Sequence, residues 1–404
     1  MHPRVSSPIP VASRVTRVNY AIRRVVEEAQ KVEASGRRVR YLNIGDPVAF
    51  GFRTPPNLIE AVERAMRDGD NGYAPSAGIL SAREAIAAEY TSLGQPISAD
   101  RIVLTAGASE GIDFALTTLA DVGDEVLIPM PTYPLYTAIL AKIGAREVYY
   151  RADPANGWLP DVHEMRRLIT PRTRALVVND PNNPTGAVYP TALRRELLNL
   201  ADRYGLPILA DEIYQDLAYA GPVAPLGSLD PDAPVISLSG LSKGYQAPGW
   251  RTGWLALGGG ESLKDVLFGI HKLAEGRLCT TTPMQHAIAV ALASDPSNQV
   301  AFRAALRERA MLICERANAI EGMSCVMPQA AFYAMPRVAL PPGKTDVDYI
   351  LGLLRATGVL CVYGSGFGMP AADGYFRVVY LARPEELSEI FDLIAEFTRS
   401  FCAC

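Results

Sequence analysis

Lysine is scarce in this chain, with six residues against 33 arginines in a length of 404. Other features are missing altogether, and each absence removes a class of protein. No run of about 18 apolar residues occurs, so no membrane span is expected. Arg4, Arg14 and Arg17 are followed by no sustained apolar segment, so a secretory signal is not expected. The net charge of -4 and the isoelectric point near 5.7 give no electrostatic footprint for nucleic acid. The six cysteines (Cys279, Cys314, Cys325, Cys361, Cys402 and Cys404) show no paired zinc-type spacing, and they read as thiols in a reduced, cytoplasmic setting. Hydrophobic residues are 49% of the chain and charged residues 20%. That composition can bury a large core, and the length suits two or three domains.

Residues 1–18 are rich in Pro, Ser and Arg and read as extended. From Tyr20 to Ala34 the residues Ile22, Val25, Val26, Ala29 and Val32 fall at helical spacing, and Gly36 ends the run. Further helices are expected over Leu58 to Met66 and Ser81 to Leu93. Apolar strands then recur at Ile102–Thr105, Glu125–Pro129, Glu147–Tyr150, Ala175–Asn179, Pro207–Ala210, Val235–Leu238 and Gly253–Leu257. A helix over Thr191 to Tyr204, closed by Gly205, is the clearest of the segments between them. Strands joined by crossover helices imply a largely parallel, buried sheet with its sites at the strands' carboxyl ends. After Pro283 the texture changes. Long helices (Gln285 to Ala293 and Ala301 to Ile320) precede short strands at Met323–Val326, Phe332–Met335, Leu360–Tyr363 and Phe376–Tyr380. A final helix spans Glu385 to Thr398, so a smaller α+β domain is expected here.

One of the six lysines, Lys243, stands in a loop of small residues between an apolar strand and a Gly/Pro/Trp segment. Burial disfavours an ammonium, and a neutral amine can attack a carbonyl. Eight residues on, Arg251 offers a planar cation suited to phosphate. An amine able to form a Schiff base, close to a phosphate-binding arginine, suggests pyridoxal phosphate. Other pieces sit at predicted strand ends, each with a plainer alternative. Residues 105–111 join a strand to a helix through small residues, as a phosphate site or simply a tight turn. Asn183, after another strand, could donate to a ring oxygen or cap a turn. Asp211 could pair with a pyridinium or cap a helix, and Tyr214 would add a hydroxyl beside it. Tyr133 could stack on a planar ring or pack in the core. Arg377, a cation among apolar neighbours, suits a carboxylate clamp or an edge salt bridge.

In this order, the pieces resemble the class I/II aminotransferases, with the fold type I architecture of pyridoxal phosphate enzymes, from about Tyr20 to Phe397. The resemblance implies an α/β fold. A large domain over 46–295 would hold a mostly parallel seven-stranded sheet sandwiched by helices. A smaller α+β domain would cover 296–404, with the segment and helix of 1–45 packed on it. Lys243 is similar to the lysine that bonds the cofactor and shuttles the proton, and Asp211 to the pyridinium partner. Asn183 and Tyr214 resemble donors to the cofactor's 3-oxygen, and Tyr133 the stacking ring. Gly107, Ala108, Ser109 and Arg251 resemble the phosphate cup, and Tyr73 a tyrosine reaching a phosphate across a dimer interface. Gly45, Asn183 and Arg377 resemble the α-carboxylate site.

Within that family the likeness is to bacterial glutamate–pyruvate (alanine) aminotransferases, through Tyr20–Arg23, Asn43–Pro47, Phe50–Phe52, Gly240–Lys243 and Arg277–Cys279. It makes Tyr20 and Arg23 candidates for substrate selection. Both could equally anchor the N-terminal helix. Gln246, Thr252, Ala21 and Ala330 depart from the family's pattern without removing a catalytic group. The implied activity is transfer of an amino group between an L-amino acid, alanine or glutamate, and pyruvate or 2-oxoglutarate, in a homodimer. An aspartate or other aminotransferase, a lyase or an amino acid oxidase on the same scaffold are the alternatives. Phe50, Phe52, Tyr20 and Tyr136 suggest a tight aromatic pocket for small side chains, whereas Arg23 or Arg277 would suit a distal carboxylate.

Overall fold

The structure is a computed structural model, and it describes residues 9–18 and 21–402. Its centre is an eight-stranded sheet built from Ile102–Thr105 (β1), Glu125–Met130 (β2), Arg146–Asp153 (β3), Leu159–Pro160 (β4), Thr173–Asn179 (β5), Ile208–Asp211 (β6), Val235–Gly240 (β7) and Gly253–Leu257 (β8). The spatial order is β1-β8-β7-β6-β5-β2-β3-β4. From β7 across to β3 every pairing is parallel. Strand β8 runs against both neighbours, and β4 against β3. Six strands therefore end on one edge. All seven expected strands are present, and the eighth, β4, has two residues, too few to leave a periodic signal.

Strands β1, β6, β7 and β8 are buried at every position, which is why they read as unbroken apolar runs. Alternate residues serve opposite faces. Leu209, Ile236 and Leu238 pack under helix Ala108–Leu119 through Ile112, Ala115 and Leu116. Ile208, Ala210 and Val235 pack on the other side against Leu197, Leu198 and Ala201 of helix Thr191–Tyr204. That helix ends as expected, with Gly205 in the left-handed region and its N–H on the carbonyls of Ala201 and Asp202.

A second core gathers helices Ser297–Asn318, Asp346–Thr357 and Pro384–Cys402 around Phe302, Leu306, Ile313, Tyr349, Phe376 and Phe391. Its antiparallel sheet consists of Tyr333–Ala334 (β9), Val362–Tyr363 (β10) and Phe376–Val379 (β11), with β11 central. Helix Ala21–Ala34 lays Val25 and Ala29 against Leu354, Leu360, Val362 and Phe367. Two expectations shift in detail. Residues 13–16 form one helical turn instead of extended chain. The strand at Met323 ends at Ser324, because the Cys325 N–H donates to the Asn318 side chain at 2.8 Å instead of to a neighbouring strand.

Candidate active site

A cavity of about 420 Å³ opens at the edge where the parallel strands end. Four of these strands deliver a side chain to it at or within four residues of their last residue. Lys243 follows β7, Asp211 closes β6 with Tyr214 next, Asn183 follows β5 and Tyr133 follows β2. Past β1, Ala108 and Ser109 form the first turn of helix Ala108–Leu119. Arg251 stands at the start of β8, which enters the sheet from this same edge. Arg377, from β11, and Gly45 close the cavity from the other side.

Asp211 is 3% exposed. Burial raises its pKa, against the hydrogen bond from Tyr136, the Ile213 amide and the positive field of Lys243. The Tyr136 hydroxyl donates to Oδ2 at 2.5 Å, while the Ile213 N–H lies 3.4 Å from Oδ1. A buried carboxylate faced by a hydroxyl and an amide, with its amine only at longer range, is suited to hold a proton on a ring nitrogen. The expected alternative of a helix cap does not apply, since no α-helix begins at Asp211.

Arg377 is 2% exposed. Its Nη1 donates to Asn183 Oδ1 at 3.1 Å and its Nη2 to the Asn43 carbonyl at 2.5 Å. The rings of Tyr333 and Phe367 lie 4.6 and 4.8 Å from the guanidinium. These contacts fix the fork in one orientation, as carboxylate binding requires. Because Asn183 accepts from Arg377 through Oδ1, its Nδ2 is the end able to donate into the cavity. Opposite, Lys243 Nζ donates to the Gly45 carbonyl at 3.0 Å. Gly45 has to be glycine, because a Cβ there would run into the Tyr333 hydroxyl and the Phe332 ring. The Tyr214 and Tyr333 hydroxyls are 2.9 Å apart, and burial first, then Tyr333, pushes Tyr214 well above the usual phenol range.

Gly107 takes φ 78°, and a side chain there would collide with the Arg251 guanidinium. Arg251 Nη2 donates to the Ala106 carbonyl at 3.0 Å. A cation at a helix's first turn, against a residue without a side chain, is a cradle for a phosphate. The residues present thus fit the expected cofactor, with an acid for its ring nitrogen, an amine for its carbonyl and a cup for its phosphate.

Other expected residues stand elsewhere. Tyr73 does not line the cavity and is 85% exposed. Tyr20 lies outside the described residues. Arg23 belongs to helix Ala21–Ala34, with its side chain outside them. Arg277 does not reach the cavity, because its Nη2 donates to the Leu104 carbonyl at 3.0 Å and its Nε faces Glu110 at 3.5 Å. Of the residues expected to form an aromatic pocket, Phe50, Phe52 and Tyr136 do not line the cavity, and Tyr20 lies outside the described residues. Phe50 packs on the second core, Phe52 stacks on Phe302 at 4.6 Å, and Tyr136 is spent on Asp211. Val26 and Ile44 line the cavity instead. Nothing local in the chain marks Tyr136 as a partner of Asp211, since 75 residues separate them.

Behind the site, Asp180, Arg194 and Glu212 are all buried. Arg194 Nε lies 3.3 Å from Asp180 Oδ2, and Glu212 accepts the Leu226 N–H at 2.5 Å. Burial lifts Glu212 to about 7 and Asp180 to about 6. A folded pKa raised above the unfolded value contributes stability at low pH and loses it as pH rises through the folded value. For Glu212 that loss runs from about 4.5 to about 7. Glu212→Gln, which cannot ionise, will therefore be more stable than the parent at pH 8, by on the order of 3 kcal/mol. The two should converge near pH 4.5 in denaturant unfolding. A variant less stable at pH 8 would mean that Glu212 folds as an anion.

The family model described as aminotransferase class I and II matches residues 38–394. The chain is 39% identical over 402 residues to an alanine aminotransferase of Mycobacterium tuberculosis, covering 96% of this chain and 92% of that one. It is 37% identical over 406 residues to the glutamate-pyruvate aminotransferase AlaA of Escherichia coli K12, covering 98% and 99%. The solved alanine aminotransferase of Pyrococcus furiosus superposes with a TM-score of 0.94 at 39% identity, over 97% of this chain and all of that one. With strand-end residues at the positions the chemistry needs and relatives matched along nearly their whole length, the chain belongs to the class I and II aminotransferases and is a pyridoxal-phosphate-dependent transaminase.

Proposed function

We propose that this aminotransferase exchanges amino groups between alanine and glutamate, with pyruvate and 2-oxoglutarate as the oxo acids. The observation that carries the choice of alanine is the set of cations lining the cavity. Among the described residues these are Lys243, Arg251 and Arg377. Arg251 serves the cofactor's phosphate with Gly107, Ala108 and Ser109, and Arg377 serves the α-carboxylate with Asn183 and Gly45. Among the described residues no lining cation is left for a second carboxylate, so one for glutamate has to come from a side chain outside them, and Val26 and Ile44 offer apolar surface that suits alanine's methyl group. The names of the M. tuberculosis and E. coli relatives support the same pair. For the distal carboxylate of glutamate we assign Arg23, with Tyr20 the other candidate for substrate selection, because Arg277 is taken up by Leu104 and Glu110.

When bound, pyridoxal phosphate supplies a ring that draws off the negative charge left when the amino acid's α-carbon loses its proton. The chain's residues do the rest. Arg377 and Asn183 hold the carboxylate and so fix which α-carbon bond is labile. Lys243 Nζ is the base that takes the α-proton and redelivers it as an acid. Asp211, held by Tyr136, keeps a proton on the ring nitrogen. Tyr214 and Asn183 would donate to the ring's 3-oxygen, and Tyr133 would cover its face.

The reading includes a cytoplasmic homodimer in which Tyr73 reaches the partner's phosphate. Free Cys279, Cys314, Cys325, Cys361 and Cys402 support the reduced setting. Tyr73 is 85% exposed, and next to it Thr282 donates to the Gly72 carbonyl at 2.7 Å, which leaves the Tyr73 ring available to a second copy of the chain. The division into 46–295 as the cofactor-holding unit and 296–404 with 1–45 as the carboxylate-holding unit is supported by the second core, most of whose residues lie beyond 296, with Tyr214 and Leu217 reaching into it from the larger unit.

The test mixes the cofactor-loaded protein with one amino acid and no oxo acid, following the cofactor's visible absorbance and the product. L-Alanine and L-glutamate should each bleach the band and release pyruvate or 2-oxoglutarate in a single turnover. Faster bleaching by L-aspartate would move the assignment to that substrate. Continuous pyruvate and ammonia from L-serine or L-cysteine, whose β-substituent can leave, without any oxo acid would make the protein a lyase.

A further inference from the structure

Gln246, one of the departures from the family pattern, is 2% exposed and uses both ends of its amide. Nε2 donates to the Gly244 carbonyl at 2.6 Å and lies 3.5 Å from the Lys243 carbonyl. Oε1 accepts from Asn298 Nδ2 at 2.6 Å, at the first turn of helix Ser297–Asn318. The main-chain carbonyl of Gln246 accepts from Thr54 Oγ1 at 2.7 Å, and its N–H donates to the Lys243 carbonyl at 3.3 Å.

These bonds have two features in common. They satisfy carbonyls of the lysine loop that no strand serves, which buried backbone requires. They also reach the two segments that the loop must be aligned with. Thr54 follows the stretch that begins at Gly45, whose carbonyl holds Lys243 Nζ, and Asn298 opens the helix that leads into the second core. Gln246 itself sits at φ 50°. A side-chain-bearing residue takes that conformation only when its surroundings over-determine it, and such outliers mark places where geometry is being enforced.

We propose that Gln246 is a positioning residue for Lys243, its amide and carbonyl locking the lysine loop to the Gly45 segment and to helix Ser297–Asn318 so that Nζ stays at the cavity mouth. The inference rests on Lys243 being the reactive amine. Without Gln246 the loop loses its donor to Gly244 and its tie to Asn298, and Nζ is free to leave Gly45 and meet solvent.

The scarcity of lysine makes this measurable. In the cofactor-free protein, limited acylation with an amine reagent and peptide mass spectrometry reads Lys243 against the exposed Lys31 and Lys264 in the same sample. Gln246→Leu should raise the labelling of Lys243 relative to those two by several-fold. It should also lower kcat about tenfold in the loaded enzyme with the KM for the oxo acid changed less than twofold. Asn298→Ala, a milder change on a half-buried residue, should move both readouts the same way and serves if Gln246→Leu does not fold. An unchanged labelling ratio in a folded variant overturns the proposal, whatever happens to turnover. Lys243→Ala separates the two ideas. If that variant still turns over, the reading of Lys243 has failed; if it is dead while Gln246→Leu is normal, only the role of Gln246 has.

Discussion

Lys243→Ala will fold normally, bind pyridoxal phosphate without a covalent bond, and lose at least about 10⁴-fold in kcat, the upper range for removal of a positioned acid–base group. Two roles meet in this one amine, bonding the cofactor and moving the α-proton, and no neighbour can replace it. Among the described residues the other basic groups lining the cavity are guanidiniums, which cannot act as the base. Nζ is also directed at a main-chain carbonyl, Gly45 O, which holds it at the cavity. Borohydride reduction of the parent followed by peptide mapping should place the cofactor on Lys243, and the alanine variant should retain none. Turnover within tenfold of the parent would transfer the role to another of the six lysines.

The second large effect belongs to Asp211. Asp211→Asn keeps the shape and removes the charge, and kcat should fall by about 10³-fold, comparable to losing a preorganised electrostatic group in a dry site. Its partner gives a graded companion test. Burial raises Asp211, and the Tyr136 hydroxyl is the first of the influences that pull it back. Tyr136→Phe therefore raises Asp211 further, so the acid limb of the kcat profile should move to higher pH, with about a tenfold loss at neutral pH. A limb that stays put would show that Tyr136 only fills space.

Much of this site can be read in the chain because of how the sheet is built. Strands buried on both faces give unbroken apolar runs, and in a parallel sheet the chemistry follows where each run stops. Asp211, Asn183, Lys243 and Tyr133 each sit within four residues of such a stop. What could not be read are pairings set by tertiary packing. The bond from Tyr136 to Asp211, the buried group of Asp180, Arg194 and Glu212, and the ties from Gln246 to Thr54 and Asn298 join residues whose local surroundings carry no hint of one another. Arg277 and Phe52 failed as pocket residues for the same reason. Each finds a closer partner than the cavity, Leu104 for one and Phe302 for the other.

Strand β8 runs backwards through an otherwise parallel region, pairing with β7 from Gly253 opposite Gly240. The lysine and the phosphate-binding arginine are therefore carried on a single hairpin, one near each end of its loop. A cofactor seated there is gripped at its carbonyl and at its phosphate by one piece of backbone, so thermal opening of that hairpin would release both grips in the same event. Loss of cofactor and loss of the reactive amine's alignment should then share a single activation barrier. A heat-treated sample would contain competent enzyme and empty protein, with little loosely held cofactor between them.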